Sequence, residues 1–107
     1  MAFFSIDDLR SRNIAEGVEI KAFSGEKMMA VFFSMEPGAV MAEHSHPHEQ
    51  MGVVLEGELE LTIGGERRVV RKGDGYYVPS GVSHGGRVFD SPVRVADFFA
   101  PPREDYR

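Results

Sequence analysis

The sequence contains no cysteine among its 107 residues. This absence excludes disulfide bonds and thiolate metal ligands, and it leaves the redox compartment unspecified. No stretch approaches the roughly 20 apolar residues of a membrane span, and residues 1–8 lack the basic and apolar regions of a secretory signal peptide. We therefore expect a cytoplasmic protein that does not enter a membrane.

Positive charge is also scarce. The chain has 12 Lys and Arg against 17 Asp and Glu, which gives a net charge of −5 at pH 7, and its basic residues form no run. This balance argues against nucleic acid as a partner. An anionic small substrate would need local positive charge from a metal or an arginine, because the overall field opposes it.

Short apolar or alternating segments, each followed by turn residues, make up most of the chain. In residues 58–63 the side chains of Leu59, Leu61 and Ile63 fall on one face, and Gly64-Gly65 predicts a hairpin turn of the primed type. The other predicted strands are residues 18–23, 28–35, 52–55, 66–72, 76–78, 87–89 and 93–100. Such spacing predicts one all-β domain over residues 1–107, a sandwich or a barrel.

The N-terminal third carries two further predictions. Residues 5–11 are typical of a short helix that Ser5 caps and that Asp7 and Asp8 stabilise in its first turn. Residues 28–35 are nearly all apolar, which predicts a strand covered on both sides. The methionine and phenylalanine content of this region indicates core or dimer interface rather than a ligand site.

Three of the four histidines lie close together at alternating positions. In an extended strand, His44, His46, His48 and Gln50 would share one face. Neutral imidazole is the commonest protein ligand of transition metals, so the cluster is a candidate metal site. The alternative is a solvated, histidine-rich loop. Because Pro47 interrupts a regular ladder, His48 is expected beside the ligands or in the substrate pocket rather than on the metal.

Together with a second stretch, this cluster resembles the paired motifs of the cupin superfamily, G-x5-H-x-H-x3-E-x6-G and G-x5-P-x-G-x2-H-x3-N. The first motif matches at Gly38, His44, His46 and Gly57, with Gln50 in the glutamate place. The second matches at Gly73, Pro79, Gly81 and His84, with Val88 in the asparagine place. The resemblance implies a small jelly-roll β-barrel, commonly a homodimer, that binds one divalent metal through His44, His46, Gln50 and His84.

The glutamine in this set has a chemical consequence. Three imidazoles and one amide are all neutral, so they leave the +2 charge of a metal uncompensated, and the ion should be a strong Lewis acid. The set also departs from the two-histidine, one-carboxylate pattern of many iron(II) oxygenases. Zinc, nickel, iron(II), cobalt and manganese all remain open.

The last predicted strand places a carboxylate where an apolar side chain is expected. Asp97 shares the parity of Val93, Val95 and Phe99, and an interior carboxylate is costly unless it is paired or used. One interpretation is a buried ion pair with Arg94, Arg103 or Arg87. The other is a general acid or base beside the metal. Arg103, which follows Pro101-Pro102, is either a surface arginine or a residue that returns over the barrel mouth to bind a carboxylate.

A narrower resemblance rests on residues 44–50, 57–64 and 97–105. These segments are similar to the small cupins called pectin degradation protein F, which convert 4,5-unsaturated uronates from pectin or alginate breakdown into open-chain keto-deoxy uronates. The resemblance implies an anionic sugar-acid substrate and the metal ligands named above. It further implies catalytic roles for Asp97 and Arg103 and places Phe99 between them in the substrate pocket.

Three other functions are compatible with the motifs. A redox metal would permit oxygenation of a thiol, diketone or flavonol, with no necessary role for Asp97 or Arg103. Lewis acidity of the zinc type would suffice for aromatic polyketide cyclisation in a larger, more apolar pocket. The non-enzymatic alternative is a module that binds a small molecule or a metal, because one fold hosts many functions.

Overall fold

A computed structural model describes residues 2–107 and contains two antiparallel β-sheets. The ten strands are β1 (Ser11–Ala15), β2 (Val18–Ser24), β3 (Met29–Met35), β4 (Val40–His44), β5 (Glu49–Glu56), β6 (Glu58–Ile63), β7 (Glu66–Arg71), β8 (Gly75–Val78), β9 (His84–Val88) and β10 (Val93–Ala100). Two 3-10 turns, Ile6–Asp8 and Glu104–Tyr106, flank them. One sheet has the order β1-β2-β3-β10-β5-β8 and the other β4-β9-β6-β7. The predicted all-β jelly-roll class is confirmed.

Strand β10 lies at the centre of the larger sheet, paired with β3 on one side and β5 on the other. Its Val93, Val95, Asp97 and Phe99 are all buried, as the alternation predicted. The core fills the space between the sheets. Its largest buried side chains include Phe99, Ile20, Met29 and Leu59.

The hairpin between β6 and β7 has the predicted geometry. Gly64 and Gly65 have φ angles of 56° and 84°, and a primed turn requires positive φ at both central residues. Strands β6 and β10 also have the predicted bounds. These elements could be predicted because each has a clear alternation and a strong turn signal beside it.

The predicted helix over residues 5–11 is wrong. Only Ile6–Asp8 forms a 3-10 turn, and Ser5 makes no side-chain cap. Ser11 and Arg12 instead pair with Lys21 and Ile20 of β2. Sheet hydrogen bonds outweigh helix propensity here, because so short an isolated helix is marginal in water.

Two other details of the predicted strands need correction. Strand β3 is buried mainly on one face, where Met29, Val31 and Met35 lie, whereas Phe32 on the other face is partly exposed. Strands β4 and β9 extend through His44 and His84. Polar side chains at those positions break the apolar pattern, so the sequence predicted no strand over residues 40–44 and began the later one at residue 87.

No helix among residues 2–107 is long and apolar enough to span a bilayer.

Candidate functional site

Three histidines from different parts of the fold lie close together; His46 and His84 are buried and His44 is exposed. His44 ends β4, His84 begins β9, and the two are cross-strand partners. His46 lies in the loop that follows β4, and its ring centroid is 5.6 Å from that of His44 and 4.8 Å from that of His84. One nitrogen of each ring lies within 4.8 Å of the other two. The structure therefore forms a group of three donors that can bind one ion.

Backbone carbonyls fix which nitrogen of each ring is free. In each ring, Nδ1 lies close to a backbone carbonyl oxygen. The distances are 2.9 Å from His44 to Ala42, 3.0 Å from His46 to His48, and 2.9 Å from His84 to Val82. A carbonyl only accepts, so Nδ1 carries the proton and the neutral ring presents the Nε2 lone pair. Metal-binding histidines usually have this arrangement.

Burial keeps two of these rings neutral. It lowers the pKa of His46, and the positive charge of Arg103 lowers it further. Burial is also the main reason that the pKa of His84 is lowered. Because a metal binds only the unprotonated ring, these shifts favour the ligand form.

The amide oxygen of Gln50, the fourth predicted ligand, lies beside this group. Gln50 Nε2 donates a 2.6 Å hydrogen bond to Asp97 Oδ2, which turns Oε1 toward His46 Nε2 at 3.1 Å. With Nδ1 of His46 protonated, both facing atoms present a lone pair, so both can bind the same cation. Their separation of 3.1 Å lies within the roughly 3.0–3.4 Å between adjacent ligands of an octahedral or tetrahedral ion bound at about 2.1 Å. The donor set thus fits a divalent transition metal.

Asp97 is buried, with 4% of its surface exposed, and it has two hydrogen-bond donors. The Tyr76 hydroxyl donates to Oδ1 at 2.5 Å, and Gln50 donates to Oδ2. Burial raises the pKa of Asp97 to about 7, and these two hydrogen bonds partly oppose the rise. Within residues 2–107, none of the ion pairs involves Asp97. The buried ion pair considered from the sequence is therefore wrong.

Arg103 returns to the same cavity from the segment after β10. Its guanidinium carbon lies 4.1 Å from the Tyr106 ring centroid and 5.4 Å from that of Phe99. Its fork donates to Asp105 at 2.8 and 3.2 Å, and only 13% of the side chain is exposed. Burial would raise the pKa of Asp105, but the hydrogen bonds and charge of Arg103 outweigh it and lower that pKa. The structure thus holds a nearly buried cation beside the histidines.

The cavity between the sheets has a volume of about 290 Å³. Its polar lining includes His44, Gln50, His84, Asp97 and Arg103. Phe99, the predicted pocket residue, also lines it, together with apolar side chains such as Phe33 and Leu61. Metal donors, a buried acid and a cation therefore face one small space.

His48 is not brought to this cavity. Its ring packs in a T-shaped arrangement against that of His46, with the ring centroids 5.3 Å apart, and its Nδ1 is buried without a partner in the described part of the chain. Its carbonyl oxygen is what fixes the His46 tautomer. Pro47 turns the chain here, as the sequence indicated.

Two tyrosines of the cavity were not predicted. Tyr76 bonds to Asp97, and Tyr106 packs edge-on against Phe99, with the ring centroids 5.9 Å apart. Tyr76 shares the inward parity of Val78 in a short predicted strand, which was an available signal for its direction. No signal in the sequence indicated that it would meet Asp97.

Comparisons with known proteins agree with this architecture. A family model described as the cupin domain matches residues 31–99. The pectin degradation protein KdgF of Dickeya dadantii is 27% identical over 106 residues, which cover 97% of this chain and 96% of that protein. The structure of KdgF from Halomonas sp. superposes with a TM-score of 0.93 at 29% identity, covering 100% of this chain and 99% of that one. An RmlC-like cupin from Shewanella frigidimarina superposes with a TM-score of 0.94 at 29% identity, covering 100% and 96%.

Proposed function

The chain belongs to the cupin family, and from this premise we propose that it is a metal-dependent enzyme that opens the ring of a 4,5-unsaturated uronate. One observation carries the proposal. A buried carboxylate, Asp97, shares a hydrogen bond with the candidate ligand Gln50 and faces the same cavity as the cation of Arg103. Metal binding alone requires neither of these two charged groups. The likeness to two proteins called KdgF over nearly the whole chain supports the same substrate class.

His44, His46, Gln50 and His84 would hold the metal. When bound there, a divalent ion such as zinc, nickel, iron, cobalt or manganese supplies Lewis acidity toward a substrate oxygen. Four neutral donors leave its charge uncompensated, which strengthens that effect and favours an anionic substrate.

Arg103 would bind and orient the substrate carboxylate. Its planar fork matches a carboxylate with two parallel hydrogen bonds. In the structure the fork is directed at Asp105, whose side chain is 60% exposed. A substrate carboxylate would replace this exposed partner, and the rings of Phe99 and Tyr106 would keep the guanidinium in place.

Asp97 would move the proton. It takes the proton from the C1 hydroxyl group, the C1 carbonyl forms, and the bond between C1 and the ring oxygen breaks with its electron pair on that oxygen. The resulting enolate then receives the same proton at C4, which leaves a ketone at C5. The reaction is an isomerisation, so it needs no oxidant or reductant. Proton transfer of this kind contributes roughly 10²- to 10⁴-fold.

Phe99 would exclude water from this exchange. Its ring is 1% exposed, faces inward from β10 as Asp97 does, and lies 5.4 Å from the Arg103 guanidinium carbon. Excluding water lowers the local dielectric constant, which strengthens the electrostatic interactions of the carboxylate and the cation inside the cavity.

The test follows an unsaturated galacturonate by NMR with the metal-loaded protein, with chelator-treated protein and with no protein. The last trace is needed because the sugar also opens unaided. We expect acceleration that disappears with the metal and returns when it is restored. A metal-loaded protein that leaves the uncatalysed rate unchanged would contradict the proposal.

A second candidate is metal-assisted cyclisation of an aromatic polyketide, which the mostly apolar cavity lining favours. Against it stand Asp97 and Arg103, which that reaction does not require. If the uronate is not converted, an apolar aromatic substrate is the next to assay. Dependence of turnover on dioxygen would distinguish an oxygenase from both.

A further inference from the structure

Tyr76 and Asp97 meet across an intervening strand. Tyr76 lies on β8 and Asp97 on β10, and both pair with the same residue of β5, Gly52. Two strands separated by one intervening strand lie roughly 10 Å apart, and side chains at this distance usually do not form hydrogen bonds with each other. Here the phenol hydroxyl lies 2.5 Å from Asp97 Oδ1.

Gly52 makes this contact possible. A Cβ atom at that position would lie 2.2 Å from Asp97 Oδ1 and 2.3 Å from two ring atoms of Tyr76. Gly52 is not among the glycines with positive φ, so its backbone does not require glycine. Glycine is needed here because the phenol reaches the carboxylate through the space that a Cβ atom would fill.

Two donors then fix the plane of the carboxylate. Tyr76 binds Oδ1 and Gln50 Nε2 binds Oδ2. Each carboxylate oxygen has two lone pairs, so each oxygen keeps one for the substrate. Rotation of the carboxylate would break at least one of two charge-assisted bonds, which are among the stronger hydrogen bonds in proteins.

We propose that Tyr76 is a positioning residue that orients Asp97 for proton transfer. Gly52, which has no side chain, leaves the space through which Tyr76 reaches Asp97. The inference rests on the proposed function. Tyr76 itself moves no proton to the substrate; it holds the group that does. A phenol used only as packing would not need its hydroxyl, nor a glycine opposite its ring.

Tyr77 provides a matched control on the same strand. It points to the opposite face and also donates to a carboxylate, Glu49, at 2.5 Å. Tyr76→Phe and Tyr77→Phe therefore remove the same group from the same strand, once inside the cavity and once outside it.

In Tyr76→Phe we expect kcat to fall about 10- to 100-fold, as loss of a hydrogen bond to a charged group implies. KM should stay within about twofold and metal content per chain should be unchanged, because the phenol hydroxyl bonds to no candidate metal ligand. Tyr77→Phe should match the wild type. Gly52→Ala should reproduce the kcat loss, and if it does not fold, Tyr76→Phe decides alone.

Crystal structures of the two phenylalanine variants test the orientation of Asp97 without depending on which reaction the protein catalyses. The Asp97 carboxylate should rotate or become disordered in Tyr76→Phe and remain fixed in Tyr77→Phe. An unmoved Asp97, or a Tyr76→Phe enzyme with wild-type kcat, overturns the positioning role. A wild type that does not open the uronate overturns the proposed function instead, and the orientation of Asp97 in the variants still tests the positioning role.

Discussion

At the scale of single residues, the Gln50 amide links the candidate metal site to the proposed acid–base chemistry. Its oxygen faces His46 Nε2 and its nitrogen bonds to Asp97. A glutamate at this position, the usual residue of the cupin motif, would place a second carboxylate against Asp97. Glutamine at position 50 and aspartate at position 97 therefore form one compatible pair.

Asp97→Asn should abolish turnover while the metal content stays intact. The change replaces the titratable carboxyl group with an amide of nearly the same size, which neither takes up nor delivers the proton, so we expect kcat to fall about 100-fold or more. The assay is uronate opening by NMR with metal analysis of the same sample. His84→Ala is the contrasting variant, because it should lose the metal. Full activity in Asp97→Asn would contradict the proton-transfer role.

Gln50→Glu should destabilise the metal-free protein, and Asp97→Asn should relieve that loss. Alone, the glutamate faces a buried carboxylate without a donor between them, which costs about 1–3 kcal/mol in the free energy of unfolding. In the double variant, the asparagine amide can donate to the glutamate. Urea unfolding of the four chelator-treated proteins measures the coupling energy. Additive effects, within about 0.5 kcal/mol, would show that the two residues are independent.

At the scale of elements, the first strand holds the last segment of the chain in place. The Arg12 guanidinium on β1 donates to the carbonyl oxygens of Asp105 at 2.6 Å and Arg107 at 3.2 Å. These bonds fix the turn Glu104–Tyr106, and Arg103 directly precedes it.

Arg12→Ala should raise KM for an anionic substrate and leave kcat nearly unchanged. Loss of the anchor loosens Arg103, whereas Asp97 keeps both of its donors. Lost hydrogen bonds of this kind correspond to about a 5- to 10-fold change in affinity. Steady-state kinetics measures the effect, and Arg68→Ala, on an arginine that pairs only with Glu66 at the surface, is the control. An unchanged KM would show that Arg12 is not needed to hold Arg103 and the turn after it in place.

At the scale of the whole molecule, the candidate metal site joins the two sheets. His44 and His84 belong to the smaller sheet and Gln50 to the larger one. A bound ion would therefore link the sheets in the folded state only, and such binding stabilises the fold by mass action.

Removal of the metal should lower the melting temperature. Saturation at 100 times Kd contributes about 2.7 kcal/mol, which corresponds to a shift on the order of 10 °C for a domain of this size. Calorimetry with and without chelator measures it. His84→Ala should lose the shift, whereas His48→Ala should keep it, because His48 lies outside the group of three. A shift of equal size in His84→Ala would place the ion elsewhere.

The homodimer expected from the sequence stays a prediction. The sequence placed its interface in the N-terminal third, including residues 28–35, which form β3 of the larger sheet. On the structure we place it on the outer face of that sheet, where Tyr77, Met51 and Phe98 are neighbours across three strands and each is more than 40% exposed. Sedimentation equilibrium should give about twice the 11.9 kDa chain mass. Met51→Glu should return the monomer, and Val40→Glu on the other sheet should not. A monomeric wild type would contradict it.

Features that depend on local periodicity and residue type could be predicted from the amino-acid sequence alone. Alternation in β6 and β10 set which side chains face inward, including Asp97, because successive residues of a strand point to opposite faces. The resemblance to the cupin motifs implied His44, His46, Gln50 and His84 as one candidate donor set. Strand β4 and the first part of β9 could not be predicted, because polar side chains such as His44 and His84 interrupt the apolar pattern by which a strand is recognised.

Contacts between residues far apart in the chain became known from the folded structure. Pairing of β5 between β8 and β10 brought Tyr76 to Asp97 through the space at Gly52. The fold also directs the Gln50 amide toward Asp97, packs the His48 ring against that of His46, and attaches the C-terminal turn to β1 through Arg12. These contacts depend on strand order and register between segments far apart in the chain, and the period within one strand carries no information about its neighbours.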